Sequence, residues 1–281
     1  MDNSVLTRAG GFEFHLKETD VIRDGHVYCS VCGEQVDGKD MEILGHPMTL
    51  RIACRCERER EAERKRQERR QRVRMLKDGC FNASQLANCQ LDAFYQQDNP
   101  ALLVAKNYVR HFDQMRGHNV GLLFYGDVGC GKTFLACAIA NALIERDLIY
   151  ARYRSLGQLI SDLGQHAFDE ERKNILQQMR DIPLLILDDV GIERDTSYAK
   201  EQVYTLINER YLGGHPTIFT TNLSLKTMEN AAASMDDRRI YSRILEMGIP
   251  VQVTGEDVRS LIRKQKLKQY GSLLKNGGER P

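Results

Sequence analysis

Apolar and polar positions divide the chain into three stretches of different character. Residues 1–56 hold only short apolar runs and cannot bury much core without help. From 57 to 77 apolar positions almost vanish. Strong helix formers with opposite charges at i,i+4, Glu61–Lys65 and Glu68–Arg72, predict a solvated helix. It has no apolar stripe before Val73 and Met75, so it reads as a bridge between two units. Residues 78–100 read as an irregular lead-in with Asn, Gly and Pro100.

From about residue 101, short apolar runs alternate with amphipathic segments. Strands are predicted at Gly121–Tyr125, Leu148–Tyr153, Pro183–Leu187, Pro216–Thr220 and Ile249–Val253. Between them, Phe134, Leu135, Ala138, Ile139, Ala142 and Leu143 share a helical face, as do Leu156, Leu159, Ile160 and Leu163. Val203, Leu206, Ile207 and Tyr211 give a further helix, stopped at Gly213-Gly214. This alternation predicts a five-stranded parallel sheet flanked by helices, with ligands at the carboxyl ends of its strands.

Composition narrows the picture. The 281 residues suffice for one large domain and a small one, divided as 1–56, 57–77 and 78–281. The net charge is +1, so any affinity for nucleic acid must come from local patches. No apolar run approaches the ~20 residues that span a bilayer, and Met1–Phe14 has no apolar core behind Arg8. The expectation is a cytoplasmic protein without a membrane segment or signal peptide. In such a chain the eight cysteines do not suggest a disulfide framework.

Gly126-Asp127-Val128-Gly129-Cys130-Gly131-Lys132-Thr133 matches G-x-x-x-x-G-K-[ST], with an apolar strand before it and an amphipathic helix after. Its glycines let backbone N–H groups turn toward phosphate oxygens, and the helix start adds its positive dipole end. Lys132 would reach the outer phosphates, and Thr133 would offer a hydroxyl to Mg²⁺. Asp188 and Asp189 follow the third strand. Asp188 is expected on the magnesium side, acting through water, and Asp189 is expected to polarise the nucleophile. Asn222 ends the fourth strand, where an amide could position water. Arg238, Arg239 and Arg243 could supply a charge to a neighbouring subunit's site, or form surface pairs with Asp236 and Asp237; Arg259 could reach the same phosphate in cis.

Cys29-Ser-Val-Cys32 and Cys54-Arg-Cys56 are two close pairs about twenty residues apart, a spacing suited to tetrahedral Zn²⁺ in a unit with too little core. Val27-Tyr28 and Gly33 fit a zinc-ribbon hairpin. His26 and His46 are candidate substitute ligands, and Cys130 and Cys137 read as fillers of small spaces.

The segments GDVGCGKTFLACAIANALIE, IPLLILDDVG, LINERY, PTIFTTNLS and RRIYSRILEMGIPVQVTG, in this order, resemble AAA+ ATPases of the DnaC/DnaI helicase-loader kind, related to the IstB transposition ATPases. The resemblance covers residues 78–262. It implies an AAA+ P-loop fold and assigns Gly126–Thr133 to Walker A and Asp188-Asp189 to Walker B. It further assigns Asn222 to sensor 1, Arg243 to the arginine finger with Arg239 as rival, and Arg259 to sensor 2. Many such proteins carry Glu where this chain has Asp189; the shorter side chain implies slow hydrolysis, suited to a switch. The chain ends soon after Arg259, without room for a full helical lid. Loaders of the DnaI kind also place a Cys-rich unit in front, where it docks on the helicase.

The resemblance implies an ATPase that uses ATP and Mg²⁺, beside the Zn²⁺ expected from the cysteine spacing, with self-assembly through the ATP site and a hexameric replicative helicase and single-stranded DNA as partners. Arg172, Lys173 and Arg180 would face the DNA. The basic stretches 57–77 and 263–275 are either solvated helical faces or contacts to phosphate backbones. The alternatives are an IstB-like transposition ATPase that coats DNA and recruits a transposase, and a non-enzymatic adaptor that scarcely hydrolyses ATP.

Overall fold

The computed structural model describes residues 5–82, 84–165, 169–191, 197–230 and 235–275. The chain divides into two compact units, Met1–Gln71 and Arg72–Pro281.

The first unit contains β1 (Val5–Thr7), β2 (Glu13–His15), β3 (Asp20–Arg23), β4 (His26–Cys29), β5 (Asp37–Ile43), β6 (His46–Arg51) and the start of α1 (Arg55–Phe81). Four strands form a sheet in the order β1-β2-β6-β5, and β3 and β4 make a separate hairpin. Asp24-Gly25 and Leu44-Gly45, with positive φ at both residues, turn the β3–β4 and β5–β6 hairpins. Such turns match the right-handed twist of paired strands. The buried apolar core comprises Phe14, Val27, Cys29, Val36 and Cys54. Ion pairs surround it. Arg51 grips the buried Asp20 carboxylate with both terminal nitrogens, at 2.5 and 3.0 Å. Arg8 and His26 meet on Asp37.

Helix α1 begins two residues before the predicted 57 and runs on past 77 to Phe81. Its exposed portion carries the Lys65–Glu61 pair, while Glu68 pairs with Arg64 instead of Arg72. The end extends because Leu76, Cys80 and Phe81 are buried in the apolar core of the second unit.

The second unit continues with α2 (Pro100–Arg110), α3 (Phe112–Gly117), β7 (Gly121–Tyr125), α4 (Lys132–Asp147), β8 (Ala151–Ser155), α5 (Leu156–Gln165), α6 (Asp169–Asp181) and β9 (Leu184–Val190). It ends with α7 (Ser197–Gly213), β10 (Thr217–Thr221), α8 (Leu225–Glu229), α9 (Met235–Met247), β11 (Gly248–Gln252) and α10 (Val258–Lys275). The sheet order is β11-β7-β10-β9-β8 and every pairing is parallel. Alternation along each strand splits the core between two faces. Leu122, Phe124, Leu184, Ile186 and Ile218 pack with Leu135 and Ile139 of α4. Leu123, Leu185, Leu187 and Phe219 pack with Leu159, Leu206, Ile207 and Ile244 on the other side. Both faces are covered, so the strands read as near-continuous apolar runs. Among the described residues, no helix is long and apolar enough to cross a membrane.

Candidate functional site

Strand β7 feeds directly into the glycine loop, and α4 begins at Lys132. Two glycines make the loop geometry possible. Gly126 has φ 147° and a Cβ there would strike the Val253 carbonyl oxygen. Gly131, at φ 96°, caps α4 in the left-handed region and packs against the Phe94 ring. Lys132 is buried, and its Nζ donates to the carbonyl oxygens of Gly126 and Asp127 at 2.9 and 2.7 Å. Cys130 is fully buried, and its carbonyl accepts the Tyr95 hydroxyl at 3.1 Å.

At the adjacent carboxyl end of β9 the two acids diverge. Pairing with β10 shifts register between Phe219 and Thr221, so that Leu187 opposes Phe219 but Val190 opposes Thr221. Asp188 and Asp189 therefore share the single position opposite Thr220, a β-bulge that re-aims side chains. Asp189 takes φ 59°. Its backbone N–H donates to Thr220 Oγ1 at 3.0 Å, and that hydroxyl donates to Asp188 Oδ1 at 2.5 Å. Asp188 is only 4% exposed and also accepts Thr133 Oγ1 on Oδ1 and the Tyr153 hydroxyl on Oδ2, both at 2.7 Å. Asp189 instead faces a cavity of about 430 Å³. Partial burial, and then the Asp188 charge, raise its carboxyl above the usual range, with Lys132 and Arg259 opposing.

That cavity brings together most of the residues expected from the sequence. Val128, Gly129, Gly131, Lys132, Thr133, Asp189, Asn222 and Arg259 all line it, with Phe94, Tyr95 and Ile262 on its apolar side. Arg259 sits in the first turn of α10. Thr133 beside the Asp188 carboxylate offers hard oxygen donors of the kind Mg²⁺ takes. Arg243 does not line the cavity of its own chain. It lies on α9, with its guanidinium over the rings of Tyr204 at 4.9 Å and Tyr211 at 5.9 Å. Arg238 and Arg239 are exposed, while Asp237 pairs with Lys200 of α7. On α6, Arg172 is half-buried and Lys173 exposed, and Arg180 pairs with Glu209 at 3.6 Å.

Three features escaped the sequence reading. Tyr153 lies on the neighbouring strand, and only the β8–β9 register shows that it meets Asp188. Thr220 was visible as a strand end but not as the residue closing the bulge. Arg210 lies in the LINERY segment and is wholly buried, donating to the carbonyls of Met179, Arg180, Ile182, His215 and Pro216 and to the Thr217 hydroxyl. It ties the ends of α6 and α7 to the starts of β9 and β10.

In the first unit, the sulfurs of Cys29, Cys32, Cys54 and Cys56 all lie within 4.8 Å of one another. Two of the separations are 3.5 Å, Cys29 to Cys56, and 3.2 Å, Cys54 to Cys56. A zinc ion ~2.3 Å from each sulfur would set them about 3.8 Å apart, so the cluster fits a tetrahedral ion. Cys29 ends β4, Cys32 lies in the turn closed by Gly33, and Cys56 is in the first turn of α1. The Glu34 and Cys56 backbone N–H groups lower the Cys32 thiol to about 6. Its sulfur neighbours, Cys54 first, push Cys56 up to about 12. His26 is occupied by Asp37 and Gln35, and neither it nor His46 joins the sulfur group. Cys130 and Cys137 are fully buried, as fillers would be.

A family model described as IstB-like ATP binding protein matches residues 52–268. The chain is 28% identical over 188 residues to the replicative helicase loader DnaI of Bacillus subtilis, covering 60% of this chain and 59% of that protein. It is 27% identical over 130 residues to the replicative helicase loader DnaC of Escherichia coli, covering 46% and 51%. The crystal structure of a DnaC helicase loader matches with a TM-score of 0.53 at 30% identity, over 61% of this chain and all of that one. The chain thus spans between half and three fifths of the length of the curated relatives it matches. With its strand order, phosphate loop and acid-tipped β9, the second unit has the AAA+ fold, and the chain belongs to the IstB-like ATP binding protein family.

Proposed function

We propose that the chain is an ATP-switched loader of a replicative helicase. The observation that carries this reading is the single cavity in which Lys132, Thr133, Asp189, Asn222 and Arg259 converge above the buried Asp188. The loop amides and Lys132 hold the phosphates of ATP, and Arg259 neutralises the outer one. Thr133 and Asp188 would hold Mg²⁺, which supplies charge neutralisation between the phosphates when bound. Asp189 and Asn222 orient the attacking water, and the shorter acid keeps turnover slow. Arg243 acts on the site of a neighbouring copy, consistent with its distance from its own cavity.

In this reading the four thiolates of the front unit hold zinc, and that unit recruits the hexameric helicase. Single-stranded DNA runs along the basic positions of α6, Arg172, Lys173 and Arg180. The named loaders among its relatives support this reading. Membership of the IstB-like family supports a second reading, a transposition ATPase that assembles on DNA. Nucleotide binding is tested with Lys132→Ala, expected to lose at least ~10-fold in affinity for Mg-ATP. Equal affinity in both proteins would remove the reading. Co-purification with the host helicase decides between loader and transposition helper, because only the loader needs to bring the helicase with it.

A further inference from the structure

Asp188 is surrounded by hydroxyl groups. Thr133 and Thr220 both donate to Oδ1, and Tyr153 donates to Oδ2 at 2.7 Å. Asp188 is 4% exposed, so its orientation is set by these donors and not by bulk water. Thr133 belongs to the phosphate loop, and its hydroxyl donates to Asp188 while its lone pairs remain available to a cation. Tyr153 and Thr220 belong to strands on either side of β9 and are independent of the loop. Tyr153 is packed against the apolar cluster that includes Cys80, Cys137 and Ala151. A ring held by packing and a hydroxyl aimed at one carboxylate oxygen are the features that fix a ligand's orientation from behind.

Resting on the reading of this cavity as an Mg-ATP site, we infer that Tyr153 is a positioning residue that holds Asp188 Oδ2 in place, leaving the carboxylate pre-oriented for the divalent cation. Tyr153 does not itself line the cavity, and its hydroxyl meets the site through its hydrogen bond to Asp188.

The test compares the full-length protein with Tyr153→Phe, which removes one oxygen. A fluorescent ATP analogue in EDTA reports the loop, and Mn²⁺ titrated in the presence of nucleotide and followed by electron paramagnetic resonance reports the cation site. Tyr153→Phe is expected to bind the analogue in EDTA as wild type does, while Mn²⁺ affinity falls about 10-fold. In the Asp188→Asn background the same substitution should cost nothing further, because its only route is gone. Mn²⁺ affinity within about twofold of wild type, or an undiminished loss in the Asp188→Asn background, overturns the inference. If Tyr153→Phe weakens binding in EDTA as well, Tyr153→His, which keeps a ring N–H donor, replaces it. Recovery of Mn²⁺ affinity by His supports the inference, and no recovery overturns it. A wild-type protein that binds no analogue at all defeats instead the proposed function.

Discussion

The two units hold themselves together by different means. Among its described residues the front unit has a core cluster of five buried apolar residues, two of them cysteines, surrounded by ion pairs: Arg51 with Asp20, Arg8 with Asp37, Lys17 and Arg51 with Glu57. The second unit covers both faces of a five-stranded sheet with apolar helices, and its polar interior is confined to the phosphate site and to a few residues such as Arg210. A small unit gains too little from apolar burial to offset chain entropy, so cross-links must supply the difference. A large α/β unit gains enough from burial to leave its strand ends free for chemistry.

The most severe test of this contrast is removal of the zinc proposed for the front unit. Stripping zinc with a chelator, or Cys32→Ser, is expected to abolish order in the front unit while leaving the melting of the second unit in place; circular dichroism with limited proteolysis reads both. About one zinc per chain is the expected content. Zinc needs all four thiolates, and the raised Cys54 and Cys56 thiols are still protonated at neutral pH. Zinc binding therefore releases protons and strengthens as pH rises, which calorimetry in buffers of different ionisation enthalpy detects. A metal-free front unit that stays folded breaks the comparison.

A smaller effect is expected in the other unit. Arg210→Met removes the Arg210 donor from buried carbonyls at the end of α6 and before β9 and β10, at a cost of about 3 kcal/mol or more. Denaturant unfolding should show this loss in the second unit only. Burial lowers the Arg210 guanidinium to about 10, still well above neutrality, so the loss should be the same at pH 6 and pH 8.

The smallest effect belongs to Glu57→Gln. Lys17 foremost, with the Cys54 N–H and Arg51, lowers the Glu57 carboxyl to about 2. A lowered folded-state value contributes stability that is present above the unfolded value of 4.5 and fades as pH falls toward 2. Glu57 is half-buried but its partner Lys17 is exposed, so screening limits the loss at neutral pH to about 1 kcal/mol. The zinc-loaded front unit of the variant should melt slightly earlier at pH 7. An unchanged melt would show that its cross-linking rests on metal alone.

Much of the second unit was legible because its signals are local. A continuous apolar run, a glycine loop of fixed spacing and an amphipathic helix place β7, the phosphate loop and the strand-end acids without reference to distant residues. The two cysteine pairs were legible for the same reason. Boundaries were read less well: β8 runs from Ala151 to Ser155, not from Leu148 to Tyr153, and α1 outlasts its charged stretch because its end is buried elsewhere.

What the sequence determined by itself, then, is the alternation that makes a parallel sheet and the residue types at each strand end, since backbone periodicity and short motifs act over a few residues. What only the tertiary structure decided is which of those residues meet. The bulge that turns Asp188 inward and Asp189 outward, the Tyr153 hydroxyl on Asp188 and the stacking of Arg243 on Tyr204 and Tyr211 all depend on strand register and helix packing. Register and packing are set by the sum of many weak apolar contacts across the whole unit, and no local pattern encodes that sum.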